Sequence, residues 1–362
     1  MLDHDKKQKV AVWAITPKGA ELAQKIAENL LDTELYLSAN LKESDVSCNR
    51  FKKLSNILPR VFNEYRGHIF IMSTGIVVRV TAPLLAHKTV DPAVVVVDEM
   101  GQHAISLLSG HIGGANRLAT DVAGGIGAVP VITTATDVNK APAIDLLAVE
   151  KGLFIENPEA IKGVNMAFLT GEAVVLHDPF GFLSGSVPGT CRPMRLGTAG
   201  EHPGSDTEFN PEENPAVYID DIRADLPSNV LILRPGSLVA GMGCNRDTSM
   251  AEMKSFLHVV LDKFDLSPDS LHCIATVDIK SDETGLLALS KDLELPLKFY
   301  DREELNRVEN IETPSKMVEK HIGVKSVCEA AAILASNRGN LIVPKQSTQN
   351  VTVAIARKSF TL

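Results

Sequence analysis

No apolar run in these 362 residues approaches the ~20 needed to cross a bilayer. No long Lys/Arg block is present, and the formal net charge is −9, which argues against a nucleic-acid binder. An anionic ligand would therefore need a site built locally from Arg, Lys, His or helix N-termini. The five cysteines (Cys48, Cys191, Cys244, Cys273, Cys328) are odd in number and scattered, and none forms CxxC. Neither a zinc site nor a disulfide framework is suggested. The opening MLDHDKKQK is charged with no apolar core behind it, so no secretory signal is visible and a cytoplasmic protein is expected. GxxxxGK[ST] is missing too, which excludes a P-loop.

What is present is ordinary globular material, 44% hydrophobic and 22% charged, too long for one core. VAVWAI (10–15), ELYL (34–37), HIFIM (68–72), AVVVV (93–97) and AVPVITTATD (128–137) read as strands. Helical stretches separate them, the first opened by Thr16 as cap and Pro17. Pro59 is expected to break the helical stretch 51–65. The alternation predicts a mostly parallel sheet with helices on both faces and a single polar rim at the strands' carboxyl ends. Residues 146–228 change character: Asn157 caps a helix, AVVLHD is a strand, and a Gly/Pro/Ser-rich segment is either a lid or a small irregular domain. From Asn229 a second regular unit follows. It takes in NVLILRP, SLVAGMG, CIATVDI, LKFY, LIVPKQ and VTVAIAR as strands, with capping boxes at Ser249 and Ser326 and a helix start at Thr313-Pro314. The fold class is α/β: two α/β domains (1–145 and 229–362) with mostly parallel sheets, joined by a smaller, loop-rich middle region (146–228).

The chemistry concentrates in DEMGQHAISLLSGHIGGANRLATD, residues 98–121. Asp98 and Glu99 end a buried strand, where one carboxylate meets a cleft and the other meets solvent or a cap. His103 and His111 lie eight residues apart, which is not a standard zinc spacing. His111, in a glycine turn at a helix start, suits a general acid or base better than a packing role. His87 and His177 have no such setting and read as structural or exposed. The corner Ser73-Thr74-Gly75 exposes backbone N–H groups as phosphate-binding turns do. Arg79 and Lys88 follow it, either on solvated helix faces or as cations for a ligand. Thr133, Thr134, Thr136 and Asp137 end the next strand. Farther on, GMGCNRDT (241–248) reads as a turn between strand and helix. There Gly241 and Gly243 allow a sharp bend, and Cys244 is either a buried structural thiol or a nucleophile at a helix N-terminus.

Laid out in order, TGIVVRVTAPLLAHKTVDPAVVVVDEMGQHAISLLSGHIGGANRLA and then PVITTATD resemble the N-terminal signature of the cobalt-precorrin-5A hydrolases of anaerobic cobalamin biosynthesis. GMGCNRDT, TPSKMVEKHIGVKSVCEAAAILAS and VTVAIAR resemble the C-terminal domain of the same family, with Asp247 and Lys325 where it more usually has glycines. The resemblance implies hydrolysis on a cobalt-bearing, ring-contracted tetrapyrrole. Water opens the δ-lactone on ring A, acetaldehyde leaves, and cobalt-precorrin-5B is formed. It implies no protein-bound metal and no cofactor, because cobalt arrives with the substrate.

For that chemistry the residues suggest His111 as base, with Asp98 or Glu99 orienting it or sharing its proton, and His103 nearby. The backbone around Ser109, Gly110, Gly113 and Gly114 would serve an oxyanion. The rest of the corrinoid contact set is Ser73, Thr74, Gly75, Arg79, Lys88, Asn116, Arg117, Thr133, Thr134, Gly241, Gly243, Cys244 and Asn245, with Lys140 also near. The substrate is expected between the terminal domains. The partner expected is this small molecule, with neither nucleic acid nor membrane, and transient contact with neighbouring pathway enzymes stays open. Two rivals remain: a non-catalytic tetrapyrrole-binding or handover protein, and a nucleotide-dependent transferase using GMGC as a phosphate turn.

Overall fold

The computed structural model describes residues 9–42, 47–87, 90–139, 141–187, 191–193, 214–314 and 323–360. The chain is α/β and divides into two units, Met1–Leu146 and Leu147–Leu362. No helix among the described residues is long and apolar enough to cross a membrane.

The first unit holds a seven-stranded sheet of order β3-β2-β1-β4-β5-β6-β7. Its strands are β1 (Val10–Ala14), β2 (Thr33–Ser38), β3 (Asn49–Phe51), β4 (Gly67–Ile71), β5 (Ala93–Val97), β6 (His103–Leu108) and β7 (Val129–Val131). The helices are α1 (Pro17–Asn29), α2 (Leu54–Val61), α3 (Thr74–Thr81), α4 (Ala115–Ile126) and α5 (Ala135–Val138), and α6 (Ile144–Glu150) crosses into the second unit. Thr16 caps α1 by accepting the Gly19 amide, as its sequence signal requires. Pro59 is accommodated inside α2, and the turn loosens only after Val61.

Valines 94 to 97 of β5 are buried on both faces, because α1 and α4 cover one side and α2 and α3 the other. Each such side chain contributes roughly 2 kcal/mol of burial. On the α2 side, Trp13 stacks on Tyr36 at 4.0 Å and donates its indole N–H to His68 Nδ1. The other ring nitrogen of His68 donates to the Phe62 carbonyl. Burial holds this imidazole neutral, with its pKa pushed down to about 4.

The decisive departure from expectation is β6. It runs antiparallel to β5, and β7 is parallel to β6. The polar ends of the strands therefore divide between two opposite edges of the sheet instead of forming one rim. AVPVITTATD also yields only a three-residue edge strand, largely exposed, followed by α5.

In the second unit a five-stranded sheet runs β10-β9-β11-β12-β8. It is made of β8 (Leu153–Ile155), β9 (Val175–His177), β10 (Arg192–Pro193), β11 (Ala216–Ile219) and β12 (Val230–Pro235), with α7 (Ile161–Thr170) between β8 and β9. NVLILRP, grouped by sequence with the C-terminal domain, is β12 of this middle sheet. It pairs with β11 and β8, and Asn157 bridges to its Val230 carbonyl and Ile232 amide instead of capping a helix.

The other sheet of this unit runs β15-β14-β13-β17-β16. Its strands are β13 (Leu238–Cys244), β14 (Leu271–Val277), β15 (Leu297–Tyr300), β16 (Asn340–Ser347) and β17 (Val351–Arg357). Helices α8 (Met250–Lys263) and α9 (Thr284–Asp292) pack on one face. Short α10 (Arg302–Asn306) and alanine-rich α11 (Val327–Ala335) pack on the other. Most of the helix expected after Thr313-Pro314 lies outside the described residues.

Candidate functional site

The β5–β6 hairpin separates what the sequence places side by side. Asp98 and Glu99 follow β5 at one edge, while His111 follows β6 at the other. Five residues at about 3.3 Å rise put roughly 16 Å between the two edges. Asp98 and Glu99 thus do not orient His111, and His103 and His111 stand at opposite ends of one strand.

At the Asp98 edge the carboxylate is occupied by backbone. It accepts from the amides of Met100 (3.0 Å), Gln102 (3.0 Å) and His103 (2.6 Å). Burial by itself would raise its pKa, but the amides of His103, Gln102 and Met100 outweigh that and hold it below the ordinary carboxylate value. The His103 ring lies 3.4 Å away and is half exposed. A cavity of about 410 Å³ opens here, lined by Thr16, Met72, Ser73, Thr74, Asp98 and Glu99 among others. The exposed Arg79 folds back, donating to the Gly75 carbonyl at 2.8 Å.

The other edge holds a closed polar cluster. His111 Nε2 lies 3.0 Å from Asp137 Oδ2 and 2.8 Å from Thr136 Oγ1, and Nδ1 lies 3.3 Å from Asp145 Oδ2. The buried Asn116 accepts from Ser106 Oγ at 2.6 Å and donates to Thr134 Oγ1 and Asp137 Oδ2, each at 2.9 Å. Its hydrogen bonds therefore tie the start of α4 to Thr134 and to Asp137 in α5.

The turn that presents His111 needs its glycine. A Cβ on Gly113 would stand 2.3 Å from Ser109 Cβ, and Ser109 itself has φ +57°. The hydrogen bond and charge of Asp145, then those of Asp137, outweigh desolvation and raise the His111 pKa. The ring therefore stays protonated to higher pH than a free histidine. One carboxylate oxygen, Asp137 Oδ1, accepts nothing among the described residues, and the side chain is one-third exposed. The amides of Ile112 and Gly113 also have no acceptor there, whereas that of Gly114 is taken by the His111 carbonyl.

The third sheet has its own cavity, about 560 Å³, at the carboxyl edge of β13 and β14. Gly243, Cys244 and Asn245 line it, with Lys280, Ser326, Cys328 and Thr352. Gly241 does not. It lies inside β13 beneath α11, where a Cβ would come within 1.8 Å of the Cys328 carbonyl oxygen, so it serves helix packing. GMGC is thus strand, and the bend comes later at Asp247, whose φ is +61°. Burial raises the Cys244 thiol pKa, which leaves it protonated rather than activated.

Three family models match in sequence: cobalamin synthesis G N-terminal over 56–137, the cobalamin biosynthesis central region over 142–235, and cobalamin synthesis G C-terminus over 238–356. The cobalt-precorrin-5A hydrolase of Priestia megaterium is 34% identical over 359 residues, covering 96% of this chain and 94% of that protein. The protein of the same name from Salmonella typhimurium is 37% identical, covering 97% and 98%. The chain belongs to the cobalt-precorrin-5A hydrolase family. A solved cobalamin biosynthesis protein G homolog from Sulfolobus solfataricus covers 99% of the chain and 100% of its own, at 21% identity and a TM-score of 0.38.

Within this member of the cobalt-precorrin-5A hydrolase family, the expected site residues fall into three groups. Ser73, Thr74, Asp98, Glu99 and His103 share one edge of the first sheet. Ser109, Gly110, His111, Gly113, Gly114, Asn116 and Thr134 share the other. Gly243, Cys244 and Asn245 lie in the second unit. Arg117 is 89% exposed on α4, 3.9 Å from Asp121, and Thr133 is exposed. Lys88 and Lys140 are outside the described residues. Sequence reasoning named Asp137 only as a polar strand end and passed over Asp145. Asp137 lies in α5 and Asp145 in the first turn of α6, so no local pattern joined them to His111.

Proposed function

We propose that this chain hydrolyses cobalt-precorrin-5A. Water opens the ring A δ-lactone, acetaldehyde is released, and cobalt-precorrin-5B is the product. The observation that carries this reading is identity of 34–37% along nearly the whole chain with proteins of that name. The His111–Asp137–Asp145 cluster supplies the proton chemistry the reaction requires.

Lactone opening needs a base for water and a donor for the departing ring oxygen. Asp137, through its open oxygen, takes the proton from water. His111 enters as the imidazolium and protonates the alkoxide, while Asp145 keeps the ring oriented. The amides of Ile112 and Gly113, which have no acceptor among the described residues, donate to the oxyanion that forms on the carbonyl. Neutral His111 then removes the proton of the freed hydroxyl. The carbon–carbon bond breaks as the acetaldehyde carbonyl forms, its electron pair passes into the conjugated macrocycle, and protonated Asp137 supplies the proton that the ring carbon needs. Both groups return to their starting states. Cobalt enters and leaves with the substrate, no resident cofactor is invoked, and the reaction is assigned to the cytoplasm.

The test is to incubate purified protein with cobalt-precorrin-5A, measuring acetaldehyde and corrinoid mass together. Acetaldehyde with loss of the two-carbon unit is the expected result. Tight corrinoid binding without acetaldehyde would leave a carrier instead.

A further inference from the structure

Beside His111, the side chains of Asp137, Asn116, Ser106 and Thr134 form a run of hydrogen bonds whose direction is set from one end. A carboxylate accepts and cannot donate, so the Asn116 atom 2.9 Å from Asp137 Oδ2 is the amide nitrogen. The carbonyl oxygen of Asn116 therefore faces Ser106, whose hydroxyl donates to it at 2.6 Å. The second amide hydrogen goes to Thr134 Oγ1, also at 2.9 Å. Thr134 is thus an acceptor on its inner side, and its own proton is left to be donated elsewhere.

Asn116 has no room to turn over. It is 7% exposed and packs against Gly110, where a Cβ would stand 2.8 Å from Asn116 Oδ1. Its backbone N–H donates to the Gly110 carbonyl at 3.0 Å, which fixes the root of the side chain. The proton of Thr134 has no acceptor among the described residues, and its oxygen makes no capping bond to α5. The neighbouring hydroxyls are committed. Ser106 gives its proton to Asn116, and Thr136, 4% exposed, faces His111 Nε2 at 2.8 Å.

One planar nitrogen holds both partners, so Thr134 Oγ1 and Asp137 Oδ2 lie about 5 Å apart. A water molecule spans a gap of that size with two hydrogen bonds. The gap has a donor on one side, and on the other a carboxylate whose Oδ1 is open.

We infer that Thr134 is a catalytic residue of the proposed hydrolysis: its hydroxyl donates to the attacking water while Asp137 Oδ1 accepts from that water. Asn116 and Ser106 are positioning residues for the pair. The inference rests on the reading of this chain as a cobalt-precorrin-5A hydrolase. Held between a donor and an acceptor, the water keeps one lone pair for the lactone carbonyl. Its oxygen bonds to the carbonyl carbon as its proton passes to Asp137. The acyl–oxygen bond then breaks, and the alkoxide takes the proton of His111. Thr134 ends the step with the proton it began with.

The experiment takes wild type, Thr134→Val, Thr134→Ser and Asn116→Asp through steady-state and single-turnover reaction with cobalt-precorrin-5A. Acetaldehyde, corrinoid mass and denaturant unfolding are measured for each. Thr134→Val keeps the shape of the side chain and loses the hydroxyl. It should lower kcat about 10- to 100-fold with KM within about twofold, because the water and not the macrocycle has lost its donor. In single turnover the unopened substrate should persist. Thr134→Ser restores the donor and should return kcat to within about threefold of wild type. Asn116→Asp sets a second carboxylate beside Asp137, so kcat should fall and the acid limb of the pH–rate profile should move to higher pH. These two variants read the roles even where the valine variant fails to fold. A Thr134→Val loss carried by KM would make Thr134 a substrate contact and overturn the assignment. Ring-opened corrinoid accumulating in that variant would overturn it as well, and an acid limb unmoved in Asn116→Asp would remove Asn116 from positioning. Acetaldehyde release by wild type and by Thr134→Val alike would overturn the inference and leave the reaction standing. No acetaldehyde from wild type would remove the reaction and the inference together.

Discussion

The two edges of the first sheet are built from the same residue types and use them differently. At one edge Asp98 gives its oxygens to three backbone amides, and His103 sits loosely beside it. At the other, two carboxylates are directed at one imidazole, and a buried asparagine fixes one of them. A carboxylate bonded to amides is pulled toward permanent ionisation and stabilises a turn. A carboxylate bonded to histidine raises the partner's pKa and keeps a transferable proton in place. An Asp-His neighbourhood is therefore not a mechanism until its hydrogen bonds are counted.

Substitutions should separate the edges. The largest effect expected is at His111: His111→Gln should lower acetaldehyde release by about 10²- to 10⁴-fold. Asp98→Asn, measured in the same assay, should stay within a few-fold of wild type, and equal losses at both would erase the distinction. Next comes Gly113→Ala, which forces a Cβ against Ser109. It should cost about 2 kcal/mol in denaturant unfolding and reduce turnover with it. Unchanged stability would show that the turn relaxes. Asp98→Ala should cost about 1 kcal/mol, as loss of a turn-capping carboxylate does, and no more, because the group is over one-third exposed.

The smallest and sharpest effect is in pH. The folded pKa of His111 is raised above the unfolded value near 6.5, so its contribution to stability is fully present below that value and fades as pH rises through the folded one. Turnover that needs the imidazolium should fall on the same alkaline limb. Asp145→Asn removes the largest cause of the shift and should move both limbs to lower pH. An NMR titration of His111 unmoved by that change would put the cause elsewhere.

Much of the architecture was legible in advance. β-branched runs such as AVVVV can be satisfied only between two helical layers, and Thr16-Pro17 is a local start signal that works wherever it stands. The direction of β6 was not legible. HAISLL has the same strand pattern whether it runs with β5 or against it, and the short connection through Gly101, with φ +66°, allows the hairpin that reverses it. The partners of His111 were hidden for the same reason, since Asp137 and Asp145 are 26 and 34 positions away in sequence. At α11 the local signature pointed the wrong way. Ser326-x-x-Glu329 predicts a closed cap, and only the amides of Glu312, Thr313 and Lys345, brought in by packing, draw Glu329 off it.

By itself, then, the sequence determined the alternation of strands and helices, the family, and the types of residue available for chemistry. Those depend on periodicity and on motifs of near neighbours. Which carboxylate meets which histidine, and which helix start stays open, was decided only by tertiary structure. Strand direction and long-range packing choose hydrogen-bond partners over separations that no local pattern encodes.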